Sequence, residues 1–93
     1  MTADGPLRRT LQIKNRFGLH ARAAGQVVEL AKRFEAEITL SKEGQAVNAK
    51  SILGLMMLAA AKGESIEIWA EGPQAEAAVD ALVELIERRF DED

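Results

Sequence analysis

The sequence predicts an α+β fold in which three helices cover one face of a four-stranded antiparallel sheet. The predicted order of strands and helices along the chain is βαββαβα. Two kinds of periodicity predict it. Apolar residues alternate with polar ones in several short segments, and they recur at helical spacing in others. Turn residues such as glycine separate these segments. Because strands of period two are apolar on one side only, we expect the other face of the sheet to be wet.

The first half of the chain is predicted to contain a strand, a helix and a hairpin. Alternation predicts strand one over residues 8–14 and strand two from residue 36 to 41. Turn-like residues 42–44 then lead into a short third strand at 45–49. Between strands one and two, apolar residues at helical spacing predict a helix over 20–33. These residues are Ala24, Val27, Val28, Ala31 and Phe34.

Ser51 is predicted to cap the second helix, because its hydroxyl stands where it can accept from the first free N–H groups. Residues 62–63, Lys-Gly, supply a plausible stop. The apolar run 52–61 exceeds what a helix packed on one side requires, so some of its large side chains are expected to face solvent, unless all belong to the core. The candidates for exposure are Ile52, Leu53, Met56 and Met57.

The last part of the chain is predicted to add one strand and one helix. Residues 66–71 alternate as strand four, with Trp69 directed to the wet face. The turn at 72–73 is followed by an amphipathic helix from Ala75. That helix is expected to end before the acidic tail 91–93.

Composition predicts one domain over residues 1–93, with a core at about 8–90 and no linker, because 93 residues with 47% hydrophobic content can bury a single core. The absence of cysteine excludes disulfides and thiol chemistry, and agrees with a reducing cytoplasm. Residues 1–6 do not have the pattern of a secretory signal, and the longest apolar run is far shorter than the roughly 20 residues that span a bilayer. Neither a cofactor nor a metal site is expected, since the only histidine has no cysteine partners.

The charge distribution is uneven although the net charge is only −3. Residues 1–33 carry seven basic and two acidic side chains, whereas the remainder carries five basic and thirteen acidic ones. The net charge and the lack of an aromatic-rich strand argue against nucleic-acid binding. A basic region favours an anionic ligand or an acidic protein partner, although an unevenly charged solvated surface would look the same.

His20, the only histidine, is the best candidate for chemistry, because it stands at a glycine-marked turn where a helix begins. A neutral imidazole offers a nitrogen lone pair, and free N–H groups at a helix start attract phosphate. Arg22 lies two residues further on and can bind phosphoryl oxygens with its planar fork. A surface or capping histidine is the plainer alternative. Since no second catalytic group is visible, the chain is interpreted as a phosphoryl recipient and donor, not a kinase or hydrolase.

Short motifs at three separate places in the chain resemble those of a known family. The sequence GLHAR at 18–22, KSILGLM at 50–56, and AKG at 61–63 before the last strand resemble the HPr family of phosphocarrier proteins of the bacterial phosphotransferase system. The resemblance covers residues 8–90 in order and spacing. It implies an open-faced β-sandwich and a cytoplasmic carrier that is not itself an enzyme and is expected to be a monomer.

The resemblance also implies roles for individual residues. His20 would accept a phosphoryl group on Nδ1 from phosphorylated Enzyme I, which phosphoenolpyruvate charges, and pass it to an EIIA-type protein, with Arg22 assisting at the phosphate. Ser51 would be the position of regulatory phosphorylation by an ATP-dependent HPr kinase/phosphorylase. A phosphate there adds nearly two negative charges beside an apolar patch and would act on binding, although a simple cap is the plainer interpretation. The implied docking residues are Ile52, Leu53 and Met56.

One position departs from the family pattern, and two questions stay open. Ala23 stands where the family usually has proline, and we expect the first helical turn to form because alanine is the best helix former. The C-terminal residues 90–93 are similar to the nitrogen-related branch, whereas 50–52 look like the branch regulated by the serine kinase. An alternative function is a regulatory protein-binding module of the same fold that does not transfer phosphate onward.

Overall fold

The computed structural model describes residues 6–92. Residues 1–5 and Asp93 lie outside the described residues, and so does most of the N-terminal segment that lacks the pattern of a secretory signal. The order of elements confirms the predicted βαββαβα arrangement and adds a short turn at its end. The elements are β1 (Leu7–Gln12), α1 (Ala21–Ala31), β2 (Glu37–Lys42), β3 (Gln45–Asn48), α2 (Ile52–Leu58), β4 (Ser65–Glu71), α3 (Ala75–Glu87) and a 3-10 turn (Arg89–Asp91).

The four strands form one antiparallel sheet in the order β1-β4-β2-β3. Alternation along β4 separates two faces, because Ile68 and Ala70 are buried while Trp69 between them is only partly so. Trp69 pairs with Arg8 on one side and Thr39 on the other, which places it on the open face, as predicted. The sheet is therefore covered by helices on one side only.

The core lies between the sheet and the three helices. Each helix contributes an apolar stripe, and these stripes meet the inward residues of β2 and β4 in one buried cluster. Its largest fully buried members include Ile13, Leu40, Leu55, Leu58, Ile66, Ile68, Leu82, Ile86 and Phe90. Burying one such side chain stabilises the fold by about 1.5–3 kcal/mol. None of the helices in residues 6–92 combines the length and the apolar character that spanning a membrane requires.

Several predicted boundaries are wrong by a few residues, and the second helix shows why. It ends at Leu58 and not at the glycine stop at 62–63, because Ala59 adopts a left-handed conformation with φ 51°. The amide of Ala59 donates to Met56 O at 3.1 Å and closes the last turn. The residues that follow are therefore free to form a loop, which packs beside the segment that leads into α1.

The ends of β1 and α1 also differ from the prediction. The strand stops at Gln12, yet Ile13 stays buried and remains bonded to the loop before β4, with its amide 2.9 Å from Glu64 O. The helix stops at Ala31, so the predicted end at residue 33 is too late.

The last helix ends before the acidic residues, as predicted, and residues 89–92 then turn back onto the domain. Arg89, Phe90 and Asp91 all have positive φ, at 58°, 55° and 59°. This left-handed conformation costs about 1–2 kcal/mol for each residue that is not glycine. It reverses the chain so that Phe90, 1% exposed, enters the core, and its burial offsets part of that cost. The reversal brings Glu92 back towards α1.

Candidate functional site

The segment before α1 is fastened to the loop after α2 by a close backbone contact. Gly18 has φ +64°, and a Cβ on it would lie 2.3 Å from Ala60 O, so only glycine fits. The next amide, of Leu19, donates to the same Ala60 oxygen at 2.9 Å. This contact fixes the position of the residue that follows, His20.

His20 is the N-cap of α1, as its sequence position predicts. Its backbone is extended, with φ −79° and ψ −179°, and its carbonyl accepts from Ala24 N at 2.8 Å. The first turn thus forms with Ala23 in the position of the family's proline, as expected. A proline is compatible with this position because the first amides of a helix have no intrahelical acceptor. The His20 side chain makes no capping hydrogen bond, so its ring is available for other contacts.

The His20 ring is partly exposed, with 29% of its side-chain surface accessible. One edge meets the Phe17 ring, with centroids 6.2 Å apart and planes at 82°. Phe17 itself is 69% exposed and carries the Arg16 guanidinium 5.5 Å from its ring centre. The imidazole is therefore reachable from solvent while being held on one side by an aromatic ring.

A carboxylate and a buried amide complete the surroundings of His20. The Nε2 atom of His20 is in hydrogen-bond contact with Glu92 Oε2. Asn15 Nδ2 donates to Glu92 Oε1 at 3.2 Å and to Gly18 O at 2.7 Å. Asn15 is fully buried and Glu92 is 16% exposed at its side chain. Sequence reasoning missed both residues.

The surroundings of Glu92 favour its charged form. Burial raises the pKa of this carboxyl, but hydrogen bonds from His20 and Asn15 and the positive charge of Arg22 lower it by more, so that it lies below its usual value. Glu92 is therefore a carboxylate at neutral pH, and it can only accept hydrogen bonds.

Arg22, the predicted phosphate ligand, is exposed on the first turn of α1. It lines an open groove of about 610 Å³ together with Ile52 of α2 and Arg88 at the end of α3. Among the described residues no hydrogen bond joins Arg22 to His20. The structure thus brings the predicted basic residue and one predicted docking residue to the same side of the molecule, with the arginine side chain unengaged by the ring.

Ser51 caps α2 as predicted, with its hydroxyl accepting from Gly54 N at 3.1 Å. The prediction that α2 is only partly core is also confirmed, because Leu55 and Leu58 are buried while other large side chains of the helix are exposed. The exposed ones are Ile52 (46%), Leu53 (72%), Met56 (43%) and Met57 (63%). We call these four residues together with Phe17 the apolar surface. Phe17 was not among the predicted docking residues.

The fold and the histidine at the start of α1 define a class, that of small α+β domains with an open-faced sheet and a partly exposed imidazole at a helix N-terminus. The family model for the PTS HPr component phosphorylation site matches residues 7–88. The phosphocarrier protein HPr of Xylella fastidiosa is 45% identical over 87 residues, covering 94% of this chain and 98% of that protein. The chain therefore belongs to the HPr family.

Two further relatives refine the comparison. The phosphocarrier protein NPr of Escherichia coli K12 is 43% identical over 88 residues, covering 94% of this chain and 98% of its own. The crystal structure of an HPr from Thermoanaerobacter tengcongensis superposes with a TM-score of 0.90 at 44% identity, covering 94% and 98% of the two chains. The open-faced architecture implied by the sequence motifs is thus confirmed, and relatives named HPr and NPr are about equally similar.

Proposed function

We propose that this protein is a phosphocarrier that accepts a phosphoryl group on His20 from phosphorylated Enzyme I and passes it to an EIIA-type protein. The observation that carries the proposal is the partly exposed imidazole of His20 at the N-terminus of α1, in a chain that belongs to the HPr family. The protein acts as a carrier and does not catalyse the transfer by itself. We place it in the cytoplasm, as a monomer with a single domain.

The site supports a transient phosphohistidine. With Nε2 against Glu92, the nitrogen that remains for the phosphoryl group is Nδ1. The free amides of the first helical turn and the guanidinium of Arg22 are the groups that would bind the phosphoryl oxygens. These contacts are few and solvent-accessible, which suits a group that must be held briefly and then released.

The apolar surface supports docking of partner proteins. It is made of large side chains that lie on α2 and beside His20, and two of them are methionines, which adapt to different partners. Because the same carrier must receive and deliver the phosphoryl group, adaptable apolar side chains on α2 and beside the histidine suit both encounters. We assign Ile52, Leu53 and Met56 to this role, and add Phe17.

Ser51 is proposed as a regulatory phosphorylation site for an HPr kinase/phosphorylase. Ser51 is partly exposed at the start of α2 and directly precedes the exposed Ile52 and Leu53. A phosphate there would place nearly two negative charges at the edge of the apolar surface, while the amides of the first helical turn could still bind its oxygens. Phosphorylation would therefore change docking more than folding.

The test is incubation with Enzyme I and phosphoenolpyruvate. One acid-labile phosphoryl group is expected on the wild-type protein and none on His20→Ala. A fully labelled His20→Ala protein would refute the assignment. Labelling of His20 without onward transfer to any EIIA-type protein would instead favour the regulatory binding module. For Ser51, an acid-stable phosphate that ATP and the kinase still add to Ser51→Ala would exclude this serine.

A further inference from the structure

Glu92 is bound on two sides by groups that belong to different parts of the chain. One carboxylate oxygen meets His20 Nε2, 72 residues away in sequence, and the other accepts from Asn15 Nδ2 at 3.2 Å. Asn15 is fully buried and is itself fixed by its second bond, to Gly18 O. The left-handed turn and the buried Phe90 deliver Glu92 to this position. The carboxylate is therefore held in place independently of the imidazole.

The contact decides which nitrogen of the imidazole carries the proton. A carboxylate accepts hydrogen bonds and cannot donate one, so the Nε2 atom that faces Glu92 must be the donor. In a neutral imidazole the other nitrogen, Nδ1, then holds the lone pair. Carboxylates fix the tautomer of metal-binding and catalytic histidines in the same way.

We propose that Glu92, held by Asn15, is a positioning residue that keeps the His20 proton on Nε2 and thereby presents Nδ1 as the phosphoryl acceptor. This role rests on the proposed function. In the transfer, the Nδ1 lone pair forms the bond to phosphorus while the bond from phosphorus to the donor breaks and leaves its electron pair on the donor. The proton stays on Nε2, so the ring gains a positive charge, which the carboxylate of Glu92 stabilises.

A carboxylate next to a phosphoryl site could also act as a block that excludes the incoming phosphate. The two roles predict opposite signs, since removal of a positioning residue slows phosphorylation whereas removal of a block accelerates it. A purely structural role predicts a third pattern, in which the conservative Glu92→Gln is milder than Glu92→Ala.

The positioning role predicts that Glu92→Gln is the more damaging substitution. The amide can keep its oxygen on the Asn15 donor and turn its NH₂ towards His20 Nε2, which must then accept, so the proton moves to Nδ1. Nitrogen chemical shifts of ¹⁵N-histidine, measured on the unphosphorylated protein above neutral pH, should show the Nε2–H tautomer in the wild type and an increased share of Nδ1–H in Glu92→Gln. Glu87→Gln is the matched control, because it removes a carboxylate that pairs with Lys14 at an exposed position.

The rates of phosphorylation by Enzyme I and phosphoenolpyruvate complete the test. We expect Glu92→Ala to be slower by about 10-fold, as for other groups that orient a histidine, Glu92→Gln to be slower still, and Glu87→Gln to match the wild type. Faster phosphorylation of Glu92→Ala, or an Nε2–H tautomer and a wild-type rate in Glu92→Gln, would overturn the proposal. A wild-type protein that Enzyme I does not phosphorylate would refute the proposed function, whereas the tautomer measurement would still report on Glu92.

Discussion

Replacing Gly18 with alanine probes the backbone contact that positions His20. The new Cβ would lie 2.3 Å from Ala60 O and 3.0 Å from Ala61 Cα, both of which are backbone atoms that cannot swing aside. The residue also has φ +64°, where alanine is strained. Relief of the overlap requires the two segments to separate, and this separation breaks the hydrogen bond from Leu19 N to Ala60 O.

The magnitude follows from two contributions. The left-handed backbone costs about 1–2 kcal/mol for alanine, and forcing extra volume into a packed contact costs about 1–3 kcal/mol. The variant Gly44→Ala separates the backbone contribution from the packing contribution, because Gly44 has φ +85° but nothing within 4 Å of its added Cβ. Only the backbone contribution applies there. Gly18→Ala should therefore lower the free energy of unfolding by about 1–3 kcal/mol more than Gly44→Ala.

Urea denaturation of the two variants and the wild type measures this difference, and phosphorylation by Enzyme I measures its effect on the site. In thermal denaturation, we expect Gly18→Ala to melt at least about 4 °C below Gly44→Ala. Its phosphorylation should be slower even under conditions where it is fully folded, because His20 is displaced. Equal stability of the two alanine variants would show that the contact between Gly18 and Ala60 does not position the segment.

Three further predictions address Ser51, the apolar surface and Glu92. Ser51→Ala should lower the free energy of unfolding by about 0.5–2 kcal/mol through loss of the cap, which urea denaturation measures. Ser51→Asp should keep the cap and weaken partner binding, which titration with an EIIA-type protein measures. Unchanged binding by Ser51→Asp would contradict the proposed switch. Leu53→Glu, at a position 72% exposed, should change stability by no more than about 0.5 kcal/mol yet slow both transfer steps, and transfer rates equal to the wild type would remove Leu53 from the docking surface. The pKa of Glu92 is lower in the folded protein than its ordinary value of 4.5, so its contribution to stability is complete above that value and is lost as the pH falls through the folded pKa. Denaturation between about pH 6 and 3 should therefore show that the difference in the free energy of unfolding between the wild type and Glu92→Gln shrinks at the acid end. A difference that is the same at every pH would contradict the assigned contacts.

Local periodicity was sufficient to predict the helices, the strands and the capping role of Ser51. Alternation along β4 placed Trp69 on the open face because each residue of a strand points to the side opposite its neighbour. The N-cap position of His20 was likewise readable from the glycine turn before a helical pattern. These features depend on residues close together in sequence, which is why a single sequence reveals them.

The rest of the site could not be predicted because it depends on distant contacts. Glu92 belongs to the acidic tail that the sequence places after the last helix, and only the burial of Phe90 reveals that the chain turns back. Neither Arg89 nor Phe90 favours positive φ by itself, so tertiary packing overrides local preference there. Asn15 could have been suspected as a turn residue from its place before Gly18, but nothing in the sequence indicates that its amide faces Glu92.

The proposed function requires His20 to carry the phosphoryl group on Nδ1 and to pass it to an EIIA-type protein. The most direct measurement is ³¹P and ¹⁵N NMR of the protein after incubation with Enzyme I and phosphoenolpyruvate, followed by addition of an EIIA-type protein. We expect one phosphoramidate signal from Nδ1 of His20 that disappears as the acceptor is phosphorylated. A phosphoryl group on Nε2, or a signal that persists in His20→Ala, would contradict it.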